Sequence, residues 1–176
     1  MAKKKRKSKI MARAERGGGR ADWPSMLVGT LLGAGHSPFM PGTFGTAVSL
    51  VPIYFAIKFG GVVGLALLAA LFYFLGVMAL RRILKHSRHD PQFVVIDEAA
   101  GMAVALIPFA AMLQSVDVWW IYIAAFVLFR IFDMTKPWPA NYFDSQVKTA
   151  HGVMLDDIVA GAYAAVFLLF INAYVG

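Results

Sequence analysis

Residues Gly61 to Leu80 form an unbroken run of twenty uncharged, mostly apolar residues, which Arg81 and Arg82 close. As an α-helix this run is about 30 Å long, which is the thickness of the hydrocarbon core of a bilayer. The whole chain of 176 residues is 59% hydrophobic and only 15% charged, so its apolar surface exceeds what the core of one water-soluble domain of this size hides. We therefore expect a membrane protein and exclude a disordered one.

Four further apolar stretches accompany this run. Trp119 and Trp120, at the start of one of them, are typical of a membrane interface. The stretch 43–57 has only fifteen residues and spans a bilayer only with tilt, local thinning or help from the preceding loop. The sequence therefore predicts an all-α fold, a polytopic membrane helical bundle of about five transmembrane helices, from these stretches: 43–57, 61–80, 99–116, 118–132 and 158–175.

Positive charge is concentrated at the amino terminus. Residues 1–20 hold nine of the 17 Lys and Arg residues and one acid, Glu15, which gives +8, whereas the remainder holds 8 basic and 9 acidic residues, which gives −1. We interpret 1–20 as a flexible basic tail that contacts anionic lipid headgroups and sets the topology, and not as a nucleic-acid site. Residues 21–176 are predicted to form one integral membrane domain.

The positive-inside rule orients the five predicted helices. With the tail in the cytoplasm, five crossings keep the basic residues between 81 and 88 on the cytoplasmic side and place the carboxyl terminus outside, whereas four crossings would expose that cluster. Polar segments then gather at the cytoplasmic face, as a site for a substrate at the level of the lipid headgroups requires. These segments are 33–45, 90–98, 130–139 and 151–157.

Two acidic doublets, Asp97-Glu98 and Asp156-Asp157, are predicted to open apolar helices. As N-caps they would satisfy free backbone N–H groups at the positive end of the helix dipole. As functional groups they would place four negative charges at one membrane depth, which demands a cation. The sequence leaves both interpretations open.

Asp133 lies at the carboxyl-terminal end of its predicted helix, where the helix dipole disfavours an acid. Arg130, three residues earlier, either anchors the helix through an ion pair with Asp133 or belongs with it to a site. With the two doublets, Asp133 completes five carboxylates in a chain without cysteine, a donor set that suits a hard divalent ion such as Mg²⁺. With Arg130 or Lys136 as counter-charge, this set indicates phosphoryl chemistry.

The segment GAGHSPFMPGT, residues 33–43, precedes the first predicted helix. Its backbone N–H groups, with Gly42 and Thr43 at the helix start, either bind an anion or only form a turn. The segment lacks the Gly-Lys-Ser/Thr end of a P-loop, so nucleotide binding by that route is not expected. His36 in this segment and His151 are candidates for proton transfer near neutral pH.

Four blocks, GAGHSPFMPGTFGT, VVIDEAAGM, FRIFDMTKPWPANYFD and HGVMLDDIVAG, occur in this order. Together they resemble the bacterial phosphatidylglycerophosphatase A family over about Pro24 to Tyr174. The resemblance implies a multi-pass enzyme of the bacterial inner (cytoplasmic) membrane that uses Mg²⁺ to remove the terminal phosphate of phosphatidylglycerophosphate, giving phosphatidylglycerol. One departure is visible, since Thr149-Ala150-His151-Gly152 stands where the family commonly has a glycine pair.

The residue pattern and the resemblance together give three sets of candidate residues. The metal ligands are expected to be Asp97, Glu98, Asp133, Asp156 and Asp157. The same five acids with Lys136 form the expected catalytic set. Substrate binding is expected from Arg130, Lys136, Gly42, Thr43 and His36.

Two alternatives remain open. One is another lipid-headgroup phosphatase or a phosphotransferase; the run of acids along one helix that a phosphotransferase would have is absent. The other is a small membrane transporter, for which acids near the middle of a span are expected, and the predicted spans have none there. The sequence does not decide between attack by water and an aspartyl-phosphate intermediate, and it gives no oligomeric state.

Overall fold

The computed structural model describes residues 23–85 and 93–175, and every regular element in these ranges is helical. The all-α fold predicted from the sequence is therefore confirmed. The predicted basic tail 1–20, as well as Arg88, lies outside the described residues. The helices in chain order are α1 (Trp23–Gly29), α2 (Pro41–Ile83), α3 (Ile96–Leu106), α4 (Ala110–Ser115), α5 (Trp119–Thr135), α6 (Ala140–Gln146) and α7 (Ala150–Val175), with 3₁₀ turns at Ala34–His36 and Ile107–Phe109.

Helix α2 contains a sharp reversal at Gly61, whose backbone has φ 56° and ψ −140°. A Cβ atom on Gly64 would lie 2.6 Å from the carbonyl oxygen of Ala56, although eight residues of straight helix would separate these positions by about 12 Å. The chain therefore folds back here into two antiparallel arms, a first arm at 41–60 and a second arm at 62–83. These arms match the predicted stretches 43–57 and 61–80, with almost no loop between them.

Three helices are long and apolar enough to cross a membrane by length and composition: Pro41–Ile83, Ile96–Ser115 and Ala150–Tyr174. The second of these joins α3, the 3₁₀ turn and α4, and corresponds to the predicted stretch 99–116. Helix α5 has 17 residues, which is about 26 Å of helix. The last helix begins at Ala150, eight residues before the predicted stretch 158–175, so the predicted start was wrong.

The two ends of the bundle differ in what they carry. At one end, Lys58 pairs with Asp117 at 2.8 Å, and a Cβ on Gly61 would meet the side-chain amide of Gln114. We call this the turn end, because it holds the reversals at 58–61 and 114–118. At the other end, side chains near the start of the first arm, the start of α3, the end of α5 and the start of α7 meet, as described below.

Helix α3 is the centre of the packing and contacts both α2 and α7. Met102, Ala103 and Leu106 are completely buried. Where α3 crosses α7, the backbones approach so closely that a Cβ on Gly161 would overlap the carbonyl oxygen of Gly101. Small residues at such a crossing allow close backbone contact between helices.

Replacing Gly161 by Leu is expected to force α3 and α7 apart and to destabilise the fold by about 3 kcal/mol or more, because the overlapping atoms are backbone and cannot rotate away. The measurement is the thermal midpoint in detergent. Ala162→Leu is the matched control, because Ala162 is exposed on the same helix. Equal midpoints for the two variants would contradict the close crossing.

Candidate active site

The first turn of α3 supplies Asp97 and Glu98. The helix starts at Ile96, close to the predicted start at Ala99, so this doublet lies at a helix amino terminus as expected. Asp97 is 9% exposed, and its Oδ1 accepts a hydrogen bond from the backbone N–H of Glu98 at 3.1 Å. The N-cap residue is Val95, which makes no side-chain capping bond.

Asp156 and Asp157 do not open a helix, contrary to the sequence prediction. They are the seventh and eighth residues of α7, which begins at Ala150. Only the first four N–H groups of a helix lack partners within it, so these acids cannot act as N-caps. They are buried within the bundle, at 5% and 4% exposure, and an interpretation by helix capping is therefore wrong for this doublet.

The last turns of α5 supply Arg130 and Asp133. The predicted ion pair is present, with Arg130 Nη1 2.6 Å from Asp133 Oδ2. The same Nη1 also lies 3.4 Å from Glu98 Oε1 on α3. Arg130 thus bridges two carboxylates on different helices, which is more than anchoring a single helix end requires.

Lys136 terminates α5 in the left-handed conformation, with φ 42°. Its Nζ donates to Asp156 Oδ2 at 2.6 Å and to Asp144 Oδ1 at 2.7 Å. Although burial by itself lowers the pKa of Lys136, the bonds to Asp144 and Asp156 outweigh it and raise that pKa above the ordinary lysine value. Lys136 therefore keeps its positive charge across the physiological pH range.

Asp144 is a contact of Lys136 that the sequence analysis missed. It lies on the short helix α6 and is exposed. It follows Lys136 by eight residues, and because a turn lies between the two, helical spacing does not predict their contact. Its only signal in the sequence is its place in the block FRIFDMTKPWPANYFD.

The two acidic doublets, Arg130, Asp133 and Lys136 line one cavity of about 360 Å³ at the end of the bundle opposite the turn end, whereas Asp144 does not. Among the described residues, five acids and two bases line it, which gives an excess of three negative charges when all are ionised. Asp157 is the most buried of these acids, at 4% exposure, and the other four line the same cavity, so we take it as the centre of the acidic group. The lining consists of Met40, Pro41, Gly42, Val94, Asp97, Glu98, Arg130, Asp133, Met134, Lys136, Val153, Asp156 and Asp157.

Gly42 lies at the start of the first arm, directly against the charged groups. A Cβ at this position would overlap Glu98 Oε1 and lie 3.3 Å from Arg130 Nη1. The absence of a side chain at Gly42 therefore lets the Glu98–Arg130 contact form beside the helix start.

Three other candidates do not line the cavity. Thr43 adjoins it in sequence, and its buried hydroxyl has no hydrogen-bond partner within the described residues. His36 is exposed, with its ring stacked 6.0 Å from that of Phe93. His151 bonds through its two ring nitrogens to Tyr73 and Arg81, each at 2.9 Å.

The donor set fits a hard cation by its chemistry, because the acids that line the cavity supply only oxygen ligands and outnumber the bases. As they stand, no three His, Cys, Asp or Glu side chains in 23–85 and 93–175 lie close enough together to hold a metal ion. In this arrangement Arg130 and Lys136 already contact Glu98, Asp133 and Asp156. An anion that draws the two bases away would leave those oxygens available to a cation.

Comparison with known proteins finds a matching family and related proteins. The sequence model of the family "Phosphatidylglycerophosphatase A" matches residues 27–172. A protein of Bacteroides thetaiotaomicron named "Putative phosphatidylinositol-3-phosphatase" is 36% identical over 85% of this chain and 94% of its own. Proteins named phosphatidylglycerophosphatase A are 37% identical in Escherichia coli, over 85% of this chain and 83% of theirs, and 31% identical in Haemophilus influenzae, over 85% and 89%. No solved structure matches the chain.

Proposed function

Because the chain belongs to the phosphatidylglycerophosphatase A family and is therefore a phosphatase, a hydrolase, we propose that it removes the terminal phosphate of phosphatidylglycerophosphate. The products are phosphatidylglycerol and inorganic phosphate. The observation that carries this proposal is the single cavity in which two bases and five carboxylates meet. It offers cations for a phosphate monoester and acids for its hydrolysis.

In this proposal Arg130 and Lys136 bind the non-bridging oxygens of the terminal phosphate. Both side chains exchange a carboxylate for phosphate when the substrate enters. Glu98, Asp133 and Asp156 are thereby released from contacts of 2.6 to 3.4 Å. Substrate binding itself thus frees carboxylates inside the cavity.

The reaction breaks the bond between phosphorus and the glycerol oxygen, which leaves with a proton. A new phosphorus–oxygen bond forms either to water, whose proton a freed carboxylate accepts, or to an aspartate, whose acyl phosphate water then hydrolyses. Asp97 and Asp157, buried at the centre of the acidic group, are the candidates closest to this chemistry. Both routes consume one water and release one inorganic phosphate.

We also propose Mg²⁺ as the cofactor, held by oxygens of Asp97, Glu98, Asp133, Asp156 and Asp157. Such an ion, when bound, offsets the negative charge of the phosphate and polarises its phosphorus–oxygen bond. The support is the chemistry of the donors and the excess of three acids over bases. In the absence of the ion, Arg130 and Lys136 are the only cationic groups among the described residues of the lining.

Phosphate release by the purified protein in detergent tests this function. We expect release from phosphatidylglycerophosphate, loss of release on chelation with EDTA, and recovery on addition of Mg²⁺. The Bacteroides relative supports a second candidate substrate, phosphatidylinositol 3-phosphate, which is assayed in parallel. Faster release from the inositol lipid would favour that candidate, release that persists in EDTA would refute the metal, and release from neither lipid would refute both substrates.

For the membrane we propose five crossings, with the cavity on the cytoplasmic side of the bacterial inner membrane and the carboxyl terminus outside. The support is the path of the chain between the two ends of the bundle. The first arm runs from the cavity to Lys58, the second returns from the turn end, α3 and α4 lead to Ser115, α5 leads back to Lys136, and α7 leaves the cavity again. The 43-residue helix α2 accounts for two of these crossings.

Labelling of single cysteines checks this topology, since the chain has no cysteine of its own. Lys85 and Ser115 are exposed near opposite ends of the bundle, and Ser115→Cys leaves the Lys58–Asp117 pair intact. In spheroplasts, an impermeant maleimide is expected to label Ser115→Cys and to reach Lys85→Cys only after lysis. Equal labelling of both variants before lysis would contradict an odd number of crossings between them.

A further inference from the structure

A second cavity of about 360 Å³ lies between the first arm and α5, nearer the turn end. Its walls are almost entirely apolar. The groove is open on one side, where Trp119 and Ile123 are 60% and 65% exposed. We call this cavity the apolar groove, and its lining is Ala47, Leu50, Tyr54, Trp119, Tyr122, Ile123 and Phe126.

The apolar groove continues the lining of the candidate active site along α5. Its residues on this helix, from Trp119 to Phe126, recur at the three- and four-residue spacing of one helix face. The same face continues to Arg130 and Asp133, which line the charged cavity. One helical turn, about 6 Å, separates Phe126 from Arg130.

The first arm forms the opposite wall of both cavities. Gly42 lines the charged cavity, and Ala47, Leu50 and Tyr54 follow on the same arm in the apolar groove. The two cavities therefore follow one another along the same pair of helices, and we call the space between these helices the furrow.

Aromatic rings close the far end of the apolar groove. Tyr54 and Trp119 stack at 5.6 Å with their ring planes 12° apart, and Tyr122 lies 5.7 Å from Trp119. From Arg130 to Trp119 the helix rises about 16 Å. A chain that extends from the charged cavity therefore reaches these aromatic rings after about 16 Å.

We propose that the apolar groove holds an acyl chain of the phospholipid substrate while the phosphate occupies the charged cavity. This inference rests on the proposed function. A hydrocarbon chain matches the apolar walls, and the open side admits it from the bilayer without passage through water. A lipid phosphate bound at Arg130 brings its own acyl chains to this side of the furrow. The arrangement of the two cavities therefore favours the substrate's own acyl chain as the molecule bound in the apolar groove.

Filling the apolar groove tests the proposal. Ala47 is exposed in its wall, and Ala66 is exposed on the second arm outside it, so Ala47→Trp and Ala66→Trp form a matched pair. The substrates are dipalmitoyl phosphatidylglycerophosphate and its deacylated analogue, which has the same two phosphates and no acyl chains. We expect Ala47→Trp to lower the ratio of kcat/KM for the dipalmitoyl lipid to that for the analogue at least tenfold, and Ala66→Trp to leave the ratio unchanged.

An equal ratio in wild type and Ala47→Trp would overturn the proposal. A measurement without turnover separates this failure from failure of the proposed function. Phosphatidylglycerophosphate with a diazirine in one acyl chain is photolysed with the protein in nanodiscs, and the adducts are mapped by mass spectrometry. Adducts concentrated in 47–54 and 119–126, and reduced in Ala47→Trp, support the groove even when no phosphate is released. Adducts spread equally over the exposed face at 62–71 refute it.

Discussion

Replacing Asp157 by Asn is expected to lower kcat for phosphate release by about 100-fold or more while leaving the protein at least as heat-stable as wild type. Asp157 is 4% exposed and lines the cavity together with four other acids. Replacing this buried acid by a neutral amide therefore removes the cost of burying a carboxylate among other carboxylates. The loss of activity has the size found when one fixed charged or hydrogen-bonding group is removed from an active site. A group that is costly for stability and needed for activity is typical of a functional site.

The experiment measures kcat and the thermal midpoint on the same preparations, with EDTA present for the midpoint. Asp117→Asn is the control, because it removes the same kind of charge at the turn end, where Asp117 pairs with Lys58 at 2.8 Å. We expect this control to keep its activity. If Asp157→Asn instead lost heat stability and kept kcat, Asp157 would be a structural residue and the centre of the site would lie elsewhere.

Apolar length and charge were enough to predict the long apolar helices of this bundle, but not the short helices α1 and α6. Runs such as 61–80 are long, uncharged and bounded by Arg81, so they could be predicted as helices without knowledge of the helices that they pack against. The reversal at Gly61 was harder to predict from the sequence, because a Gly-Gly pair inside an apolar run is compatible with both a continuous helix and a tight turn. The close position of Gln114, which is distant in sequence, accompanies the turn in the structure.

The candidate site was predicted in composition but not in arrangement. Acidic doublets, Arg130 and Lys136 were all singled out, and the structure brings them to one cavity. The start of α7 was predicted too late in the chain. The segment His151-Gly-Val-Met-Leu begins with residues that are typical of a loop, although its apolar residues continue the helix in the structure. Asp144 and the apolar groove were missed, since each depends on which helix faces which, and one sequence does not contain that information.

Replacing Gly42 by Ala is expected to lower kcat/KM for phosphate release by about 100-fold, the size of loss that a misplacement of about 1 Å in an active site can cause. The new Cβ would overlap Glu98 Oε1, so the Glu98 side chain must turn away and lose its contact with Arg130. Because that carboxylate is the flexible end of a side chain, the fold accommodates the change. We therefore expect Gly42→Ala to lower activity without lowering the stability of the fold.

Gly60→Ala is the matched control, because nothing lies within 4 Å of a Cβ at Gly60. Both substitutions replace a glycine near an end of the first arm by Ala, so a difference in activity reports the contact with Glu98. Shortening the glutamate provides a second check: the loss in Gly42→Ala/Glu98→Asp is expected to be smaller than the sum of the two single losses, since the shorter carboxylate leaves room for the methyl group. Additive losses, or a Gly42→Ala enzyme as active as Gly60→Ala, would show that Gly42 does not act through Glu98.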